Sequence, residues 1–160
     1  MPVDVRAALP ADLAAIAAIW HAGWHDGHDG HVPEALAAAR TEASFRERAA
    51  ARLPDTSVAV VDGEVAGFVV VAEDEVEQVY VAAHHRGTDV APAVLAEGAR
   101  LAHDRGHDRA WLAVATANAR ARRFYEREGW TDEGPFDYPA EGPDGPIVVA
   151  CHRYVLTATD

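Results

Sequence analysis

Three stretches of the chain carry residue types at spacings that could do chemistry. The first is a histidine run: His21, His25, His28 and His31 follow the spacing H-x-x-x-H-x-x-H-x-x-H. Imidazole clusters bind zinc, nickel or copper, and His21 and His25 share one face if a helix runs that far. Gly23, Gly27 and Gly30 interrupt the run and argue against a preformed metal cage, so no metal site is assigned; a polar loop gives the same pattern. The second stretch is Arg86-Gly87-Thr88-Asp89-Val90-Ala91, between a strand-like and a helix-like segment. First-turn helix amides have no intrahelical acceptor, and the helix dipole favours negative charge there, so this is a place for an anion. An ordinary strand–helix turn with a solvated arginine reads the same way. The third is Asn118-Ala119-Arg120-Ala121-Arg122-Arg123-Phe124-Tyr125-Glu126-Arg127-Glu128-Gly129-Trp130, of the form N-x-x-A-x-x-F-Y-x-x-x-G-W. Cys151 is most simply a small buried apolar residue.

The elements that must position these residues can be read from periodicity and turn chemistry. Val3 to Leu9 alternates as a strand. Pro10-Ala11-Asp12 opens a helix whose buried face carries Leu13, Ile16, Ala17 and Trp20. Gly23 to Gly30 reads as a loop or a broken helix end, and one helix is expected from Pro33 to Arg52, stopped by Pro54-Asp55. Asp62-Gly63 between two β-branched runs predicts a type I′ hairpin. Glu75 to Ala82 is a further strand, with Glu75, Glu77, Val79 and Val81 expected on one face. A helix spans Asp89 to Arg105 and ends at Gly106. A short buried strand covers Ala110 to Ala115, and a helix runs from Asn118 to Glu128. Trp130 starts a strand, Gly134 to Pro146 is expected to be a long proline-punctuated loop, and Ile147 to Leu156 is the last strand.

This order, β-α-α-β-β-β-α-β-α-β-β, together with Val79-Tyr80-Val81, the Arg86–Ala91 loop and the Asn118–Trp130 motif, resembles the GNAT superfamily of acetyl-CoA-dependent N-acetyltransferases. The resemblance runs over nearly the whole chain. It implies an α/β (α+β) fold: a mixed, mostly antiparallel central sheet, split at strands 4 and 5 and flanked by helices, as a single domain over residues 1–160. It also implies acetyl-CoA as co-substrate. Arg86, Gly87, Thr88, Asp89, Val90 and Ala91 match the loop and helix start that cradle the pyrophosphate. Val79, Tyr80 and Val81 match the strand alongside pantetheine, with the Val81 amide positioned to polarise the thioester. Asn118 matches a cofactor contact and is also a plain N-cap.

Tyr125 matches the family's usual general acid, which protonates the departing thiolate and borders the cofactor. Glu75 matches a position where many members keep a base, and Glu77 lies two residues nearer the thioester; two neighbouring carboxylates raise one pKa. Trp24, His25 and His28 fall in the segment that forms one wall of the family's acceptor cleft. One position departs from the pattern: Asp89 stands where the family usually has glycine, and as an N-cap it would compete with the pyrophosphate for the helix amides.

Composition bounds the partners. The chain has 160 residues, 49% hydrophobic and 25% charged, with one cysteine and a formal net charge of −12. That charge opposes nucleic acid and anionic lipid and suits a cationic acceptor. No apolar run approaches the ~18 residues that span a membrane, and no secretory signal pattern opens the chain; a cytoplasmic setting is expected. The expected activity is acetyl transfer to a small-molecule or peptide primary amine by direct attack. The alternatives are a non-catalytic acyl-CoA-binding or regulatory module, which Asp89 favours, and a metal-binding protein built on the histidine run. A homodimer is left open.

Overall fold

A computed structural model describes residues 2–158. Among them lies a seven-stranded sheet in the order β1-β2-β3-β4-β5-β7-β6. Its strands are β1 (Asp4–Ala7), β2 (Thr56–Val61), β3 (Glu64–Ala72), β4 (Glu75–Val81), β5 (Arg109–Ala115), β6 (Thr131–Ala140) and β7 (Ile147–Thr157). Every neighbouring pair is antiparallel except β4 and β5, which are parallel. The helices are α1 (Leu13–His28), α2 (Glu34–Ala39), α3 (Glu42–Arg52), α4 (Val90–Asp104) and α5 (Ala119–Arg127). None is long and apolar enough to cross a membrane.

Hydrophobic layers cover both faces of the sheet. Ile16, Trp20, Phe45, Val58, Phe68 and Val70 form the layer under α1 and α3. Val69, Val71, Val76, Val94, Leu95 and Leu112 form the layer under α4. β3 lies between the two layers, so both of its faces are apolar and Ala66 to Val71 are buried without a break. Asp62 and Gly63 both have positive φ, 51° and 78°, as the expected type I′ turn between β2 and β3 requires.

Four expectations are corrected. The helix α1 does not break at Gly23 but continues to His28. Gly23 and Gly27 are contact points: a Cβ on Gly23 would sit 2.6 Å from the Tyr80 ring, and one on Gly27 would sit 3.0 Å from Asn118 Nδ2. They let α1 lie directly on β4 and the start of α5. The single helix expected over 33–52 is two helices, α2 and α3. Arg40 ends the first, and Thr41 caps the second, its Oγ1 accepting from the Ser44 amide at 3.2 Å.

The third correction concerns the expected loop from Gly134. Residues up to Ala140 belong to β6, and prolines 135 and 139 stay in register with His152 and Val148 of β7. β6 is an edge strand, so a proline whose missing N–H falls on the open side costs no ladder bond. Fourth, β4 carries a bulge. Val70 pairs with Gln78 and Val71 with Val76, which makes Glu77 the extra residue. Alternation therefore slips by one, and Glu75 does not share a face with Val79 and Val81. The two valines pack in the α4 layer. Glu75 bonds Tyr138, which belongs to the opposite layer.

Candidate active site

The sheet opens between β4 and β5. Their ladder has a single register pair, Glu75 with Trp111, reinforced by the Trp111 amide donating to Asp74 O at 3.0 Å. Past that point β4 pairs with β3 alone among the described residues. Ala82 donates its N–H to Ala66 O at 2.8 Å, so alternation turns the amides of Val81 and Val79 away from β3, into the opening. The gap is a cleft of about 510 Å³, within the usual range for small-molecule sites.

Most of the candidate residues meet there. Glu75, Glu77, Val79, Tyr80, Val81, Arg86, Gly87, Ala91, Asn118, Tyr125, Trp24 and His28 all line the cleft. Thr88, Asp89, Val90 and His25 do not. Val90 is a core residue, 1% exposed. Both ring nitrogens of His25 are engaged, Nδ1 with Asp29 at 2.7 Å and Nε2 with Arg40 O at 2.6 Å. Burial opposes charge on His25, but those two acceptors outweigh it and raise its pKa. His28 stacks on Trp24 with centroids 4.5 Å apart, and burial chiefly lowers its pKa.

The histidine run does not form a ligand cluster. Among the described residues, the one group of three or more His, Cys, Asp or Glu whose ligand atoms lie within 4.8 Å of one another is Glu64, His84 and His85. It sits at the surface, where His84 Nε2 meets Glu64 Oε1 at 3.0 Å.

At the head of α4, Thr88 does the local bonding. Its hydroxyl donates to His85 O at 2.5 Å and accepts from the Val90 amide at 3.4 Å. Asp89 is exposed and in αR conformation, and its side chain caps nothing. The expected N-cap is therefore absent, and the carboxylate acts at this helix start only through its charge. Arg86 reaches across to α1, where it pairs with Asp26 at 2.9 Å. Asn118 does act as a cap, its Oδ1 accepting from the Ala121 amide at 3.2 Å.

The titratable groups in the cleft fall into distinct settings. Burial alone pushes the Tyr125 phenol up to about 12, and burial also raises Tyr80, with Tyr125 adding to it. Glu75 is raised, chiefly by burial; Tyr138, donating its hydroxyl to Oε2 at 2.7 Å, opposes the shift, and Glu77 and Asp74 add to it. Glu77 is held by the Arg52 guanidinium at 2.6 Å. Burial pushes the Cys151 thiol up to about 11, which fits an inert apolar role rather than a nucleophile.

The sequence reading missed Arg40, Arg48, Tyr138 and Glu141, all of which line the cleft. They come from α2, α3, β6 and the loop after it, and no local motif connects them.

The profile of the acetyltransferase (GNAT) family matches residues 16–130. Streptothricin acetyltransferase of Streptomyces lavendulae is 31% identical over 129 residues. The match takes in 76% of this chain and 60% of that protein, so the chain spans about three-fifths of the curated relative's length. Among solved structures, a GCN5-related N-acetyltransferase from Rhodopseudomonas palustris superposes with a TM-score of 0.76 at 24% identity, covering 99% of this chain and 97% of that one. The yncA protein of Salmonella typhimurium, solved with acetyl-CoA, gives 0.71 at 19% identity over 100% and 96%. At these identities the structural likeness establishes the fold.

Proposed function

The chain belongs to the acetyltransferase (GNAT) family, and on that premise we propose that it moves an acetyl group from acetyl-CoA to a primary amine, which attacks the thioester directly as one domain holds both. The opening between β4 and β5 carries this reading. An unpaired strand edge needs partners for its amides and carbonyls, and pantetheine, an extended chain with amides of its own, supplies them. The Val81 amide faces the gap and polarises the thioester carbonyl. The pyrophosphate then reaches Arg86, Gly87 and the first turn of α4, where amides and dipole favour an anion.

Glu75 is the base. Its raised pKa suits proton transfer from an ammonium better than an ordinary carboxylate would, whereas Glu77 is neutralised by Arg52. Tyr125 is the acid. At about 12 it keeps its proton at neutral pH, and a thiolate expelled beside it is raised by the same desolvation, so the transfer stays close to balanced. Trp24 and His28 form the wall against the acceptor. The reading as a non-catalytic module leaned on Asp89 occupying the helix amides, and its side chain makes no such bond.

The test is release of free CoA thiol from acetyl-CoA in the presence of an amine panel that includes streptothricin, the substrate named for the curated relative. Turnover with at least one amine supports the reading; tight acetyl-CoA binding without turnover on any amine returns the chain to the non-catalytic class. Asp89 gives a graded check. Its charge at the helix start repels the pyrophosphate, an effect of about 0.3–1 kcal/mol at an exposed terminus. Asp89→Asn should therefore tighten acetyl-CoA about two- to fivefold in a calorimetric titration at low salt, with the gain shrinking as salt is added.

A further inference from the structure

We propose that the acceptor carries a carboxylate beside its amine, and that Arg40 and Arg48 are the residues that hold it. The proposal rests on the acetyl-transfer reading and narrows its substrate to a small amino carboxylate, an amino acid or a close analogue.

Arg40 ends α2 and is 7% exposed. One of its Nη atoms donates to the backbone carbonyl of Glu141 at 2.5 Å, while its buried Nε has no partner. Arg48 projects from α3 with its guanidinium over the Trp20 ring, 4.9 Å from the centroid, and its buried Nη1 is also unpartnered. Both line the cleft. A buried guanidinium is normally matched by a carboxylate, because an uncompensated charge away from water is costly. Two of the nearby carboxylates are engaged elsewhere: Glu77 with Arg52 and Glu75 with Tyr138. Glu141 gives Arg40 a backbone carbonyl, and its exposed carboxylate acts on both arginines from a distance without forming an ion pair with either. The strain shows in Arg40 itself, whose pKa burial lowers to about 10, with Arg48 adding to the shift.

One buried and one half-buried cation lining the same cleft, in a chain of net charge −12, make a receptor for an anion. On the acetyl-transfer reading the pyrophosphate lies at the start of α4, beyond the Val81 end of β4, with Glu75 at the other end of that strand. The group met by Arg40 and Arg48 therefore belongs to the acceptor. Guanidinium forks match a planar carboxylate. The same molecule then places its amine toward Glu75 and its carboxylate toward the arginines. Acidic surface and basic pocket thus act on different parts of one zwitterion.

The experiment compares L-leucine, L-methionine and L-phenylalanine, each with its own carboxamide, and adds spermidine as a cation without a carboxylate. Thiol release should favour the acids over their amides by about tenfold or more in kcat/KM, the low end for a charge-assisted hydrogen bond. Arg48→Gln should raise KM for the acids by a similar factor, with KM for the amides and for acetyl-CoA unchanged. If Arg48→Gln does not fold, Arg40→Lys and Arg48→Lys keep the charge but lose the fork, and should erode the same preference. Equal or better turnover of amides or spermidine, or an Arg48→Gln effect equal on acids and amides, overturns the carboxylate assignment and leaves acetyl transfer standing. If acetyl-CoA itself does not bind, acetyl transfer falls. Calorimetry of each acid against its amide on the cofactor-free protein then still decides the arginine site, and no preference for any acid overturns it.

Discussion

Replacing Tyr125 by phenylalanine lowers kcat for acetyl transfer by about 10²–10³-fold, within the range that a positioned general acid contributes. Affinity for acetyl-CoA stays within about threefold, less than one neutral hydrogen bond is worth. The separation between the two quantities is what identifies the role. Burial is the only cause raising the phenol, and among the described residues its hydroxyl has no hydrogen-bond partner to lose. The ring keeps its packing beside Phe124 and Tyr154, and thermal stability is unchanged. A tyrosine that merely fills the core would leave kcat as it was. Single-turnover measurement of thiol release, with calorimetric binding of acetyl-CoA on the same protein, reads both quantities.

Glu75→Gln carries the second large effect, a loss of about 10²-fold in kcat/KM near neutral pH, accompanied by a change in the shape of the pH profile. Glu75 titrates above its ordinary value of 4.5, chiefly because it is buried. As pH falls through that raised value the carboxylate gains a proton and can no longer take one, so activity declines on the acid side. The decline begins at higher pH than an ordinary glutamate would give, and Glu75→Gln removes that limb. Stability moves in the opposite sense. A carboxyl whose folded pKa is raised contributes stability below its unfolded value and loses it as pH rises through the folded value. Glutamine can still accept from Tyr138, so at neutral pH the variant should melt no lower than the parent. A pH profile with an unshifted acid limb in Glu75→Gln would remove Glu75 from the role of base.

What the sequence made legible was whatever local chemistry determines. The Asp62-Gly63 turn followed from two adjacent residues that tolerate positive φ. The Asn118 cap followed from its place ahead of a helix, whereas the opening beside β4 was expected only from the family resemblance. Three features were hidden because their cause lies elsewhere in the chain. Pro135 and Pro139 look like loop residues until β6 is known to be an edge strand. Gly23 looks like a helix end until Tyr80 is seen to press on it. The bulge at Glu77 is set by pairing with β3, and no periodicity within β4 reports it. Arg40 and Arg48 escaped for a related reason. On alanine-rich helices an arginine reads as solvated, and only the cleft wall supplied by Tyr80, Tyr138 and Glu141 turns these two inward.

The two rims of the sheet have a bearing on how copies of the protein meet. One rim is β1, only four residues long. The other is β6, where Pro135, Asp137 and Pro139 alternate along one side. With regular pairing to β7 over this stretch, the ring nitrogens of both prolines and the amide of Asp137 face outward. Three successive outward positions thus offer a single donor, guarded by a carboxylate. Continuous strand-to-strand annealing of neighbouring molecules has no template at either rim, which protects the protein from fibrous aggregation.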